Sequence, residues 1–365
     1  MIRVLQVIYN MDACGGIQSF IMNVYRQIDR SKVQFDFLLC EQTNSHYEDE
    51  INRLGGKLYF IPGRKKGIIA NKVKLNSFFK TNKYDVVHFH SDSLSNIEPL
   101  IAAKNNGVGK RIMHCHSTGI DGRFKDLYTL LHKLNKKRIN RIATHYFACS
   151  KESKKWAYGN SKAEHYSQVI NNCINIKDYM RSNNDSEKSR KEYGIPNDAF
   201  VLGYIGRIDK LKNPFFTLEV FCNVLKRNSN SILVLVGDGP LMNELKKKIE
   251  EMKIQKNVLL LGAINDTSKI YKVLDCFILP SKLEGFPMSM LEAQASGISC
   301  IVSNTISKEA ILNKNVIQMS INDKAENWAE KILDNIGSID SKNLTISTEF
   351  DAKTVAKQLL KIYLG

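Results

Sequence analysis

Short apolar runs, each followed by a longer amphipathic stretch, recur along almost the whole chain, and this alternation limits the fold more than any other feature. Runs at 2–8 (IRVLQVI), 35–40 (FDFLLC), 57–61 (KLYFI), 84–90 (YDVVHFH), 110–116 (KRIMHCH) and 145–150 (HYFACS) are rich in Val, Ile, Phe and Tyr and read as strands. Amphipathic stretches at 17–30, 68–82, 94–106 and 123–143 separate them and read as helices. Strand alternating with helix implies a parallel sheet covered on both faces. The pattern breaks at the polar, charge-dense 178–199 (DYMRSNNDSEKSRKEYGIPNDA), which reads as a linker region. It restarts with strands at 200–206, 231–237, 257–262, 276–281 and 299–304, and helices at about 214–228, 240–253, 267–274 and 287–296. A chain of 365 residues suits two such domains. The expected division is 1–175 and 176–350, with an amphipathic helix at about 351–365 able to pack back on the first domain. Two doubly wound domains facing each other leave a central cleft lined by the C-terminal ends of their strands, where open parallel sheets bind ligands.

Charge separates the halves. Lys and Arg outnumber Asp and Glu 27 to 14 over residues 1–175 but only 26 to 23 over the rest, so the basic excess belongs to the first half. Such a half is suited to something anionic: a lipid surface, a phosphorylated substrate or nucleic acid. All eight histidines (46, 88, 90, 114, 116, 132, 145, 165) also lie there. The eight cysteines, Cys14 among them, form no CxxC pair, and several sit in strand-like runs, as reduced thiols of a cytoplasmic protein would. The first apolar run is short and broken by Gln6, which reads as a buried strand rather than a signal peptide.

Four features at strand ends carry chemistry. EGFPMSMLEAQASG (284–297) leaves a strand, turns, and enters a helix with Pro287 at its first turn and Gly297 as its stop. A helix start there offers N–H groups and a positive dipole end to a phosphate, with Glu284 ahead of it and Glu292 inside it as acceptors for sugar hydroxyls. GRIDKLKNP (206–214) puts Arg207 and Lys212 where two cations could clamp a diphosphate. VGDGP (236–240) brings Gly237 and Gly239 to a turn that lets backbone approach a ligand. CGGIQSF (14–20) places Gly15 and Gly16 before a helix in the first domain. Each alone is an ordinary tight βα connection, and acids near a helix start commonly cap and solvate it. It is their recurrence in both domains that points to a nucleotide sugar.

The combination resembles the family 4 glycosyltransferases of GT-B fold, and within them the bacterial capsular and exopolysaccharide transferases. The residues that carry the likeness are Gly15-Gly16-Ile17, DVVHFHS (85–91), HCHST (114–118), HYFACSKES (145–153), GRIDKLKNP, LVGDGP and PSKLEGFPMSMLEAQASG, from residue 1 to about 310. The resemblance implies a fold of two Rossmann-like domains, the first on the acceptor side and the second binding the donor. It implies that Glu292 holds the ribose, that Glu284 holds the transferred sugar, and that backbone of Phe286, Pro287 and Met288 meets sugar and phosphates. Arg207 and Lys212 would neutralise the leaving diphosphate, Gly16 would close over it, and His116 would face acceptor and sugar. It further implies a retaining hexosyl or N-acetylhexosaminyl transfer, with front-face attack and the leaving phosphate as base. The donor would be a nucleotide sugar, UDP-linked rather than another, and the acceptor a lipid-linked oligosaccharide, with no metal or other cofactor. The chain departs from the family at Gly297-Ile298-Ser299, where Gly-x-Pro is usual, and at Asn172-Cys173-Ile174-Asn175, where Asn-Gly-x-Asp is.

Rival readings rest on particular residues. His88, His90 and Asp92 spell the start of a binuclear metal site, with His114 and His116 as a second pair, which would make a hydrolase. Against it, position 93 is Ser and the second domain holds no histidine. No Asp-x-Asp follows an apolar strand, so a metal-held diphosphate of the other main transferase fold is unsupported. A dehydrogenase would need Gly-x-Gly-x-x-Gly after the first strand, where Ala13-Cys14-Gly15-Gly16-Ile17-Gln18 stands. A nucleotide-sugar 2-epimerase shares the architecture and donor but needs no acceptor. Nucleic-acid binding has charge in its favour and no motif. In RFKDLYTLLHKLNKKRIN (123–140), Phe124, Leu127, Leu131 and Leu134 recur at helical spacing, which reads as a core-facing stripe, among Lys125, Lys133, Lys136, Lys137 and Arg138. Those charges suit peripheral contact with anionic lipid at the inner face of the plasma membrane, where a lipid-linked acceptor is presented.

Overall fold

A computed structural model of the chain describes residues 1–11, 15–41, 47–120, 122, 124–181, 183–335 and 344–365; Ala13, Cys14, His46 and Arg123 lie outside them. The chain divides into two compact units, Met1–Cys173 with Ala352–Gly365, and Ile174–Asp351.

The first unit carries β1 (Ile2–Ile8), β2 (Val33–Leu39), β3 (Leu58–Phe60), β4 (Val86–Ser91), β5 (Lys110–Cys115), β6 (His145–Ala148) and β7 (Gln168–Val169). Its helices are α1 (Gly16–Gln27), α2 (Glu48–Arg53), α3 (Ile68–Thr81), α4 (Glu98–Asn105), α5 (Lys125–Arg138), α6 (Lys151–Tyr158) and α7 (Lys162–Tyr166). The second unit opens with α8 (Ile176–Tyr179) and α9 (Asn183–Glu192), then β8 (Phe200–Ile205), α10 (Pro214–Arg227), β9 (Ser231–Val236), α11 (Met242–Glu251) and β10 (Val258–Gly262). It continues with α12 (Ser268–Val273), β11 (Cys276–Leu279), α13 (Met288–Ala295), β12 (Ser299–Ser303), β13 (Val316–Met319) and α14 (Ala325–Asp334). The final helix, α15 (Ala352–Leu364), belongs to the first unit and packs on α1.

Both sheets are parallel and doubly wound. The strand orders are 3-2-1-4-5-6-7 and 10-9-8-11-12-13, so order reverses between β1 and β4 in one unit and between β8 and β11 in the other. Such a reversal splays the loops that follow the two neighbouring strands and opens a crevice at their C-terminal ends. Both faces of each sheet are covered, which is why the strands read as nearly unbroken apolar runs. Side chains nonetheless alternate. Val4 and Ile8 join the core under α1 and α15, while Leu5 and Val7 join the one on the opposite face.

The segment 178–199 is not a linker. It contains the whole of α9 and is tied into the second unit by Arg190, whose buried guanidinium donates to both Asp275 carboxylate oxygens at 2.9 Å and to the carbonyls of Asn197, Ala199 and Val273. One arginine that bonds five acceptors anchors a helix whose sequence otherwise looks solvated. The second difference is α5. Its buried face is His132 and Asn135, whereas Phe124, Leu127 and Leu134 of the expected stripe are each more than half exposed, as is Leu130, and only Leu131 of the stripe is partly buried. The apolar stripe therefore faces outward. His132 and Asn135 displace it from the core because both hydrogen-bond the backbone of Leu94, at 3.1 and 2.7 Å.

Candidate functional site

In the second unit, loops after β8, β9 and β11 meet at the strand-order reversal. Asp209 folds the first of them by accepting from the N–H groups of Leu211 and Lys212, both at 3.0 Å. This turn delivers Lys212 to Glu284, and the two form an ion pair with both side chains mostly shielded. Sequence reading gave these residues separate partners; the fold joins them. Arg207 stays well exposed, with its Nε 3.7 Å from Asp209. Gly237 and Gly239 have a packing role. A Cβ on Gly237, at φ 138°, would fall 1.9 Å from the Gly206 carbonyl oxygen, and one on Gly239 would fall 2.4 Å from that of Ile208. The close approach that these glycines permit is to the neighbouring loop, and it fixes the β8 and β9 loops against each other.

The β11 loop leads into α13. Pro287 is the N-cap, in extended conformation, rather than the first helical residue, and Gly297 at φ 72° ends the helix. Phe286 is buried and stacks on Phe350 with ring centroids 5.3 Å apart, and Met288 is buried beside it. Glu292 faces inward. Thr267 Oγ1 donates to it at 3.2 Å, and the hydroxyls of Tyr271 and Tyr179 face it, the first donating to the Ser289 carbonyl at 2.9 Å and the second lying 3.5 Å from Thr267 Oγ1. Burial pushes its carboxyl up to about 7 in spite of these hydroxyls. Thr267, Tyr271 and Tyr179 carried no signal in the sequence, because hydroxyl residues at these spacings are ordinary in helices and loops.

In the first unit, Gly15 is the N-cap of α1 and Gly16 its first residue, directly after β1 and the reversal point. A Cβ on Gly15 would collide with Gln18, whose amide instead reaches the Asn10 carbonyl and side chain at 3.1 and 2.7 Å. His116 follows β5, with its N–H on the Ser91 carbonyl at 3.0 Å and its ring 5.5 Å from that of Phe20 on α1. Its Nε2 lies 2.9 Å from His90 Nδ1. Burial pushes His116 down to about 3, and holds His88, His90 and His114 well below the usual histidine range, so all four are neutral at physiological pH.

The His88, His90 and Asp92 set does not assemble as the spacing suggests. His88 and His90 are buried on the α1 side of the sheet, while Asp92 is exposed beyond the strand end. The histidines that do converge are His88, His90 and His114, with ring nitrogens within 4.8 Å of one another. They are the residues that could hold a cation. Their rings, however, stack for His88 on His90, with centroids 4.1 Å apart and planes 28° from parallel, rather than pointing at a common centre from different planes. Five of their six nitrogens are also engaged, by one another and by Tyr363, His116 and Gln6, which leaves only His114 Nε2.

Comparison with known proteins gives the family and the fold. The model of the family described as Glycosyltransferase Family 4 matches residues 14–178, and that of Glycosyl transferases group 1 matches residues 185–338. The chain is 31% identical over 336 residues to a protein named as the glycosyltransferase EpsF of Bacillus subtilis, covering 90% of this chain and 86% of that one. It is 30% identical to the Escherichia coli UDP-Gal:alpha-D-GlcNAc-diphosphoundecaprenol alpha-1,3-galactosyltransferase, over 80% of this chain and 77% of that one. Among solved structures, Anabaena HepE in complex with UDP and glucose superposes with a TM-score of 0.79 at 17% identity, over the full length of both chains.

Proposed function

The chain belongs to the family 4 glycosyltransferases, and from that premise we propose that it moves a hexose or N-acetylhexosamine from a UDP-sugar to a lipid-linked oligosaccharide, with retention of configuration. Membership favours glycosyl transfer over the epimerase and hydrolase alternatives. The observation that carries the finer reading is the Lys212–Glu284 ion pair at the β8/β11 reversal, just ahead of α13. It sets a cation and a carboxylate side by side where a diphosphate and its sugar would meet, and the start of α13 adds N–H donors.

In this reading Arg207, Lys212 and the start of α13 neutralise the leaving diphosphate, which leaves that task without need of a metal. Glu284 exchanges part of its hold on Lys212 for the sugar hydroxyls, and Glu292 accepts from the ribose. Phe286, Pro287 and Met288 meet the sugar and phosphates through their backbone. Gly237 and Gly239 act through the loop packing described above. Gly15, Gly16 and His116 serve the transfer from the first unit. The relative from E. coli is named for a UDP-linked donor and a diphosphoundecaprenol acceptor, and the Staphylococcus aureus relative CapH for capsular polysaccharide biosynthesis.

No helix among the described residues is long and apolar enough to cross a membrane. Exposed Phe124, Leu127, Leu130 and Leu134, bordered by Lys133, Lys137 and Arg138, suit a helix lying in the interface of an anionic bilayer. Ile68, Ile69 and Val73 at the start of α3 are exposed as well, and α3 packs into the same core as α4, to which α5 is tied by the hydrogen bond from Asn135 to the Leu94 carbonyl. The enzyme would thus sit peripherally on the cytoplasmic face, where lipid-linked acceptors are presented.

The test is a thermal-shift panel of UDP, GDP, ADP and their common sugars, with and without EDTA, followed by product analysis with a lipid-linked acceptor. A shift confined to the uridine series that survives EDTA and disappears in Glu292→Ala is expected. No shift with any nucleotide, or a shift abolished by EDTA, overturns the reading.

A further inference from the structure

Six polar side chains in the first unit occupy positions that would ordinarily be apolar core. Gln6 on β1, His88 and His90 on β4, and His114 on β5 project to the face covered by α1 and α15, in the rows that also hold Val4, Val86 and Ile112. All four are nearly or wholly buried, and β-sheet register places Gln6 opposite His88 and His90 opposite His114. Tyr363, on α15, closes the cluster from above, and His116 closes it at the strand ends.

Their contacts form two chains that share one origin. Gln6 Oε1 lies 2.9 Å from His90 Nε2, and an amide oxygen only accepts, so His90 carries its proton on Nε2. His90 Nδ1 is then a bare acceptor, and the nitrogen 2.9 Å away, His116 Nε2, must donate to it. In the other direction the Gln6 amide acts on the Tyr363 hydroxyl as a donor, holding the phenol down against the upward push of burial, and only its N–H groups remain to do so. Tyr363 Oη therefore accepts from Gln6 and gives its own proton to His88 Nδ1, at 2.7 Å. His88 donates in turn from Nε2 to His114 Nδ1, at 3.2 Å, which leaves His114 with its proton on a buried Nε2 that has no hydrogen-bond partner. That ring instead stands edge-on to Phe20 and Phe147, with interplanar angles of 85° and 88°.

We propose that Gln6 is a positioning residue, whose single amide sets the direction of both chains and thereby holds His116 in the Nε2–H tautomer with Nδ1 bare. The amide can do this because its two ends differ: one accepts, the other donates, and each feeds a different arm. Neutrality of all four rings, favoured by their burial, keeps the chains one-directional, since an imidazolium donates from both nitrogens. His116 consequently has a lone pair at Nδ1, which has no protein partner among the described residues and is the atom available to a substrate hydroxyl. The mechanistic weight given to His116 rests on the proposed function; the proton arrangement does not.

The experiment uses the full chain labelled with 15N-histidine and long-range 1H–15N correlation at neutral pH, with rings assigned through His90→Gln and His116→Gln. All four ladder histidines are expected as neutral Nε2–H tautomers. An Nδ1–H tautomer at His116, or an imidazolium at any of the four, overturns the proposal. Gln6→Met removes the shared amide and should scramble the His116 tautomer, lowering kcat about 10- to 100-fold while KM for the donor changes by less than about twofold. Tyr363→Phe should alter only His88 and His114 and leave the His116 tautomer as it was. A folded Gln6→Met protein with an unchanged His116 spectrum, or a Tyr363→Phe spectrum in which His116 changes with the others, overturns it. Should Gln6→Met fail to fold, the wild-type and Tyr363→Phe spectra still decide the matter. Stoichiometric metal in the purified protein, with His88 and His114 nitrogens that shift on chelation, would also overturn it. If transfer activity is absent but the four tautomers are as described, the functional reading fails and the hydrogen-bond arrangement stands.

Discussion

Each unit buries one polar cluster beneath its strand ends, and the two are built on opposite principles. In the second unit a single acid, Glu292, is faced by the hydroxyls of Thr267, Tyr271 and Tyr179, of which Thr267 donates to it and Tyr271 gives its proton to the Ser289 carbonyl. In the first, four rings are locked by flanking strands and by one amide into an arrangement with a direction. Burial drives both clusters toward neutrality, upward for the carboxyl and downward for the imidazoles. A cup of hydroxyls suits a ligand that arrives with its own hydroxyls to exchange. A fixed chain suits a ring whose protonation must not vary.

The sharpest way to break the comparison is at the reaction centre. Glu284→Ala should lower kcat by about 100-fold or more while donor affinity changes much less, measured by initial rates and calorimetry, because the lost carboxylate orients the sugar. An unchanged kcat would remove Glu284 from the site. Next is Glu292→Ala, which should weaken donor binding by about 10- to 100-fold, the worth of a charge-assisted hydrogen bond. Gly237→Ala, with its Cβ forced onto the Gly206 carbonyl, should cost roughly 3 kcal/mol in urea unfolding and loosen the Arg207 loop.

The two clusters should also respond to pH with opposite sign. Glu292 has a folded pKa raised to about 7 from 4.5, so the native state holds the extra proton between these values. Its contribution to stability therefore falls as pH rises through that window, by on the order of 3 kcal/mol, and Glu292→Gln should remove the slope. The ladder histidines have folded values below the usual 6.5, so the unfolded state binds more protons below that pH. Their contribution is present above 6.5 and is lost as pH falls, and hydrogen exchange in β4 and β5 should quicken with acidification before that in β11. Equal pH dependence in both units would erase the distinction. The smallest effect expected is on the surface: Leu127→Asp with Leu130→Asp should reduce sedimentation with anionic vesicles a few-fold at low salt, because two exposed apolar side chains give way to charges that an anionic surface repels.

Much of the fold was legible because a doubly buried parallel strand leaves a strong mark. The runs at 2–8, 200–206 and 276–281 became β1, β8 and β11 within two residues. Two short edge strands did not show, β7, which is two residues long, and β13, VIQM, which is partly exposed, whereas the edge strand β3 was read at 57–61. The motif at 284–297 led to Glu284 and Glu292, but composition could not reveal that Lys212 would pair with one and three hydroxyls would surround the other. Polarity misled twice, at Arg190, where a charge is buried because five acceptors await it, and at α5, where His132 and Asn135 took the inward face from four apolar residues. In both cases pairing outweighed hydropathy, and pairing is invisible until the partner is in place.

The return of α15 to the first unit has a consequence for synthesis. Tyr363 and the helix that carries it, Ala352–Leu364, leave the ribosome long after the last strand of the sheet that they cover, Gln168–Val169. Until then Phe35, Ile112 and the histidine rows lack part of their roof, and the second unit, whose strands are all made by residue 319, can complete its own core first. Translation thus runs from the N-terminus while the first-made sheet waits longest to be sealed, and a pause or premature stop near residue 350 would release a chain whose older half is the unfinished one.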